Sequence, residues 1–326
     1  MRPPAIVPHS VHRATVWEVR DFERCLVPGV CGNKARKFAG LNDEAALAPF
    51  VSHGGSQSNA MLALAALAAH RRVGFTYHTK PMPRWLRANP IGNLAAALSL
   101  GMELREHSTV NGYEEATRAL AEETSGARFV PQGGACPAAE PGVASLARDI
   151  GAWHSAQGGS QPCHVVLPAG TGTTALFLAR HAPPGVRVFA VPCVGDEAYL
   201  RQQIRQLERA SGGRGSSSGV EVLSPPPESA VAFGTPSARL LRTWREAAAS
   251  GVLLDLLYGA VAWDTMVDSW LRPGARPHPA KLLYVNCGGH EGLPSQLMRY
   301  RRAGLLDGEE PEDVLETVKR HAASSR

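Results

Sequence analysis

Lys34 stands in Cys31-Gly32-Asn33-Lys34-Ala35-Arg36-Lys37-Phe38, a stretch that delivers one lysine, then two further cations, into what reads as a helix start. A lysine that bonds a carbonyl as a Schiff base must be a neutral amine, and burial beside other cations moves it in that direction. Arg36 and Lys37 supply such neighbours. A second stretch, Ala169-Gly170-Thr171-Gly172-Thr173-Thr174, has the makings of a phosphate cradle. Its glycines admit close backbone approach, its N–H groups converge at a helix start, and its threonine hydroxyls add donors. It is neither GxxxxGK nor GxGxxG, since Ala175 or Leu176 stands where a third glycine would fall. Alone it is equally a tight strand-to-helix turn. Gly54-Gly55-Ser56-Gln57-Ser58-Asn59 is a further anion-competent turn, though alone it reads first as a capped helix after a short strand. Cys287-Gly288-Gly289-His290 completes the set. An amine for an aldehyde, a loop for a phosphate and a loop for a carboxylate together point to pyridoxal phosphate (PLP) on Lys34.

The elements that must position these residues alternate. Residues 15–19 read as an edge strand, 50–53 as a strand, 58–70 as a helix capped by Ser58 or Asn59, and 73–77 as a strand. A helix over 93–100 stops at Gly101, a strand follows over 102–105, then a helix over 113–123 and a strand at Phe129-Val130. Further on, 164–167, 186–191 and 281–285 read as strands. Residues 175–180, 197–207, 236–249 and 261–271 read as helices. Residues 210–228 form a Gly/Ser-rich surface loop ending in three prolines. Acidic residues over 307–313 open a C-terminal helix. Strand–helix units of this size predict mostly parallel sheets covered by helices on both faces, an α/β protein. His53 reads as a strand end and Asp255 as a structural residue that orients Tyr258 or caps a turn. His290 reads either as a substrate-side residue or as a hydrogen-bonded surface histidine.

At 326 residues the chain has length for two domains or one large α/β unit. Its net charge of +5 comes from cations scattered along the chain, without a basic run or interleaved aromatics, which argues against nucleic acid and favours anionic small ligands. Six cysteines, with no CxxC pair and no zinc-like spacing, predict reduced thiols. No apolar run approaches the length of a membrane helix. The opening residues lack a secretory segment, so the expected compartment is the cytoplasm, with an organellar presequence left open.

Taken in order, Gly32-Asn33-Lys34-x-Arg36-Lys37, Gly54-Gly55-x-Gln57-Ser58-Asn59, the Gly/Thr loop, Asp255 with Tyr258, and Gly288-Gly289 resemble the 1-aminocyclopropane-1-carboxylate (ACC) deaminase and D-cysteine desulfhydrase family. These are fold-type II PLP enzymes, relatives of the tryptophan synthase β subunit. The resemblance runs from about residue 19 to residue 290. It implies a large PLP domain made of 1–37 and 146–326, with a smaller mobile α/β domain over 38–145. It implies that Lys34 is the cofactor-bonded lysine and proton shuttle, and that Lys37 holds the phosphate with Gly170, Thr171, Gly172, Thr173 and Thr174. Asn59 would bond the cofactor's ring hydroxyl oxygen. Ser58 and Gln57 would hold the carboxylate of a small amino-acid substrate, and Tyr258 would be the active-site phenol. The resemblance also implies a homodimer.

The chain departs from that family at four places. Cys31 replaces a glycine. Ala60 and Met61 stand where polar residues are usual. Gly259 stands where deaminases carry glutamate and desulfhydrases tend to carry threonine. Cys287 precedes the final glycine pair, which makes it the candidate partner of the pyridine nitrogen; a weak neutral partner suits β-elimination. The resemblance thus implies D-cysteine desulfhydrase chemistry first. The alternatives are ACC deaminase, a serine-type dehydratase, and, in another class, a non-catalytic PLP-binding or regulatory protein.

Overall fold

The computed structural model describes residues 3–45, 47–109, 113, 115–117, 119–120, 124, 126–213, 219–228, 230–272, 278 and 280–324. The chain divides into two compact units, Met1–Arg24 with Val143–Arg326, and Cys25–Gly142.

The chain opens with a hairpin of β1 (Ile6–Val11) and β2 (Ala14–Val19), Ile6 opposite Val19 and Val11 opposite Ala14. The two-residue turn, His12-Arg13, lies at φ +46° and +67°, the pair of positive values that a tight hairpin turn requires. The segment expected as an edge strand is therefore interior, and β1 takes the edge. A turn built without glycine or asparagine gave no sign of it in the sequence.

The unit Cys25–Gly142 begins with a second hairpin, β3 (Cys25–Val27) and β4 (Val30–Cys31), in which Cys25 pairs with Cys31. The two are joined by a disulfide, Cα–Cα 4.0 Å. This corrects the expectation of reduced thiols: a spacing of six carries no motif, but the hairpin register sets the two side chains face to face. Helix α1 (Asn33–Asp43) follows, then β5 (Phe50–Gly54), α2 (Asn59–Arg71), β6 (Phe75–Thr79), α3 (Arg84–Ala88), α4 (Gly92–Ser99), β7 (Glu103–Glu106) and β8 (Arg128–Val130). The sheet order is β7-β6-β5-β8, all parallel. Of the helix expected over 113–123, residues 113, 115–117, 119 and 120 are described and are helical; the others lie outside the described residues. Leu64 and Leu67 of α2, with Phe50 and Tyr77 of the sheet, make a fully buried core. Helix α1 packs on β3, β4 and α2, so Lys34 lies in this unit, whereas the sequence expectation put residues 1–37 with the larger domain.

The larger unit is completed by α5 (Glu140–Ala156), which the sequence reading did not include; its first residues lie in the other unit. Gly142 is required there, since a Cβ would fall 1.9 Å from the Arg36 carbonyl oxygen. Then come β9 (Cys163–Ala169), α6 (Thr173–Arg180), β10 (Val186–Pro192), α7 (Glu197–Ala210), β11 (Val220–Val222), α8 (Ala238–Ala249), α9 (Gly259–Trp270), β12 (Lys281–Val285), α10 (Leu293–Arg302) and α11 (Pro311–Ser324). The sheet order is β1-β2-β12-β9-β10-β11, parallel except for the β1–β2 pair. The first five of the seven residues of β9 are buried in succession, so both faces of the sheet are covered. β11 corrects the expectation of an uninterrupted loop over 210–228: three residues suffice for an edge strand on β10. No helix among the described residues is long and apolar enough to cross a membrane.

Candidate active site

In the larger unit, β9 ends at Ala169 and α6 begins at Thr173, with Gly172 as its N-cap at φ +70°. Helix geometry leaves the first-turn amides without carbonyl partners. Nothing supplies them here: among the described residues the first intrahelical bond at this end runs from Leu176 N to Gly172 O, and no cap side chain intervenes. A side chain at 172 is excluded twice, by the positive φ and by Ile204, whose Cγ1 would lie 2.5 Å from a Cβ. Thr171 and Thr173 hydroxyls bond each other at 2.8 Å, and Thr173 and Thr174 are buried. Apart from that hydroxyl pair, the donors of the loop have no partner among the described residues.

Tyr258 lies beside this loop; a Cβ on Gly170 would stand 3.5 Å from its Cε1. Asp255 fixes the turn that carries it. Its Oδ1 accepts N–H bonds from Leu257 and Tyr258 and its Oδ2 accepts one from Gly259. Burial raises the Asp255 carboxyl against these three bonds, and burial also pushes the Tyr258 phenol well above its ordinary range, so it keeps its proton. Gly259 has little room for anything larger: a Cβ would lie 3.0 Å from Asp255 Oδ2 and 3.1 Å from Leu254 Cβ. Cys287 follows β12 and is half-buried. It and Asp255 lie near enough to Cys193 that their charges add to the burial that holds the Cys193 thiol protonated. His290 is no surface histidine. It packs edge-on to Phe22 at 4.9 Å, burial holds its imidazole neutral, and its buried Nε2 has no partner among the described residues.

In the other unit, Lys34 Nζ donates to Asn33 Oδ1 at 3.0 Å, and Lys37 Nζ donates to the Gly133 carbonyl at 3.0 Å. The turn over 54–59 is used differently from the one at 170–174. Ser58 is the N-cap of α2, and its Oγ accepts from the amides of Ala60 and Met61. Gln57 donates from Nε2 to Ile91 O and accepts at Oε1 from the Asn93 amide, so its side chain is engaged within the protein. Asn93 Nδ2 also reaches Gln57 O and Asn59 Oδ1, the latter at 2.7 Å. That bond leaves the Asn59 amide nitrogen as its outward donor. Ala60 and Met61 are buried in the core of the unit, which explains why they are apolar.

Lys34, Lys37, Gln57, Ser58 and Asn59 thus lie in one unit, and Gly170 to Thr174, Tyr258 and Cys287 in the other. The sequence reading missed Asn93, whose partners lie 34 and 36 positions away. It also missed Phe233, 5.3 Å from the Tyr258 ring and on the wall of a cavity of about 600 Å³. Each unit by itself carries groups that fit part of PLP: open amides at 170–174 that suit a phosphate in the larger, and an amine at Lys34 with the Asn59 amide in the other.

Comparison with known proteins agrees on the fold. The chain is similar to the crystal structure of an ACC deaminase homologue, with a TM-score of 0.73 and 19% identity over 94% of each chain. It is similar to Escherichia coli diaminopropionate ammonia lyase, with a TM-score of 0.61 and 12% identity over 95% of this chain and 88% of that one. It is also similar to a hydrogen sulfide-producing enzyme from Fusobacterium nucleatum, with a TM-score of 0.56 and 11% identity over 88% and 94%. The architecture is that of the fold-type II PLP enzymes. No protein-family profile and no curated protein matches the sequence.

Proposed function

We propose that the chain is a PLP-dependent lyase that carries out β-elimination on a small amino acid, with D-cysteine as the favoured substrate and pyruvate, hydrogen sulfide and ammonia as products. The observation that carries the reading is the empty donor set at Gly170–Thr174 in a chain that also holds a lysine, Lys34, at the first turn of a helix. PLP, when bound, supplies an electron sink beside the substrate's α-carbon.

The loop amides and threonine hydroxyls bind the phosphate, with Lys37 as their cation. Asn59 donates to the ring hydroxyl oxygen, its amide oriented by Asn93. Ser58 contacts the substrate carboxylate, and Gln57, whose amide is engaged by Ile91 and Asn93, sets the turn. Lys34 Nζ would hold the cofactor's aldehyde carbon and would be the base for the substrate's α-proton. Tyr258 stays a neutral phenol and serves as a donor. Cys287 would be a weak neutral partner for the pyridine nitrogen. The crowding at Gly259 argues against ACC ring opening by this chain, since a glutamate there would displace Asp255 or Leu254. Association as a homodimer belongs to the same reading, and light scattering tests it.

The purified protein should show an absorbance band near the visible edge that Lys34→Ala abolishes; a colourless chain that takes up no PLP ends the reading. Assays of D-cysteine, D-serine, L-serine and ACC then select the substrate. Absence of sulfide from D-cysteine rejects the favoured one.

A further inference from the structure

The lysine helix begins on a short hairpin closed by a covalent bond, and we propose that this bond, Cys25–Cys31, is a reversible thiol–disulfide modification site whose state sets how firmly Lys34 is held. The proposal rests on the reading of Lys34 as the reactive lysine.

The hairpin cannot hold itself. β3 and β4 have three and two residues, with an irregularity in register between Cys25 and Val27. Two-stranded hairpins are marginal even when longer, so the disulfide is what keeps the open end of this one closed. Helix α1 leans on both strands. Between Cys31 and the helix stands Gly32 alone, at φ +62° and ψ −141°, and it offers no side-chain cap. The first turn of α1, with Asn33 and Lys34, therefore takes its position from the hairpin rather than from a cap. Lys34 comes three residues after Cys31.

Access sets the pair apart from the buried thiols. Cys25 is exposed and Cys31 half-buried, as are the free Cys136 and Cys287, whereas Cys163 and Cys193 are buried. A thiolate of a small dithiol attacks Cys25 Sγ, the Cys25–Cys31 bond breaks, and Cys31 leaves as a thiolate that takes up a proton. The second thiol of the reagent then displaces Cys25, which is protonated in turn. The protein gains two electrons and two protons, and the dithiol becomes a cyclic disulfide. Reoxidation reverses both steps.

The test treats the folded chain with dithiothreitol, alkylates it, and maps the labelled sites by mass spectrometry while amide exchange is followed. Label is expected at Cys25 and Cys31 ahead of Cys163 and Cys193. Exchange over residues 32–43 should rise about tenfold on reduction, with 173–180 unchanged as the control. PLP retention, by equilibrium dialysis, should weaken about fivefold and return on reoxidation. A Cys25→Ser/Cys31→Ser chain should resemble the reduced form and ignore the dithiol. Resistance of the pair to the dithiol in the folded chain, or unchanged exchange over 32–43 after reduction, overturns the proposal. A response over 32–43 in a chain that takes up no PLP in either state supports the switch and overturns the cofactor reading instead.

Discussion

Two strand-to-helix turns of similar composition, 54–59 and 169–174, use their backbone donors in opposite ways. At the start of α2 the chain spends them on itself: Ser58 caps two amides, and Asn93 ties Gln57 and Asn59 down. At the start of α6 the glycine N-cap has no side chain to offer, and the amides remain open. A helix start that caps itself presents side chains, whereas one that does not presents a positive end to an anion. Sequence gave both turns the same anion-binding potential; bonding separates them.

The largest expected effect comes from closing the open turn. Gly172→Ala meets both a left-handed backbone and Ile204, and should cost about 3 kcal/mol in denaturant unfolding and abolish PLP retention. Undisturbed stability with full PLP retention would remove the distinction between the turns. Asn93→Ala should cost about 2 kcal/mol by stranding buried partners of the closed turn. Its kinetic signature is a raised KM with PLP still bound, because Asn59 loses its orientation while the phosphate loop is untouched.

Acid should act on both units, through His53 and His78 in the one with the closed turn and through His164 on β9 in the other, each lowered to about 4. His53, next to last in β5, is hydrogen-bonded to Tyr113, and His78 opposite it bonds His107. Burial lowers both His53 and His78 to about 4. The folded chain keeps them neutral down to that pH, whereas the unfolded chain takes up their protons near 6.5. Unfolding therefore binds protons between those values, and stability falls as pH falls from about 6.5 to about 4. Each such proton contributes a slope of about 1.4 kcal/mol per pH unit. In His53→Gln, urea melts across this range should show the slope reduced by one proton. The smallest effect is Ser58→Ala, about 1 kcal/mol for a lost cap, read by thermal or urea unfolding.

Much of this was legible in the sequence because period and composition carry it: the buried run of β9, the Ala/Leu face of α2 with its Ser58 cap, and β12 at its expected residues. What escaped was non-local or atypical. The His12-Arg13 turn lacks the usual turn residues, and β11 is too short to show a period. The Cys25–Cys31 bond shows itself in a hairpin register, and Asn93 in bonds that cross from one loop to another.

The order of strands in the larger sheet bears on how the chain is made. β2, near the amino terminus, lies beside β12, with Leu282 opposite Val16 and Val285 opposite Val19. On a ribosome β12 emerges long after β2. The Cys25–Gly142 unit is continuous and can fold while synthesis proceeds, but the hairpin of β1 and β2 must wait for its neighbour until β12 has emerged. Until then the inner edge of β2 is an unpaired template, and the nascent chain, rather than the finished protein, is where aggregation has its opening.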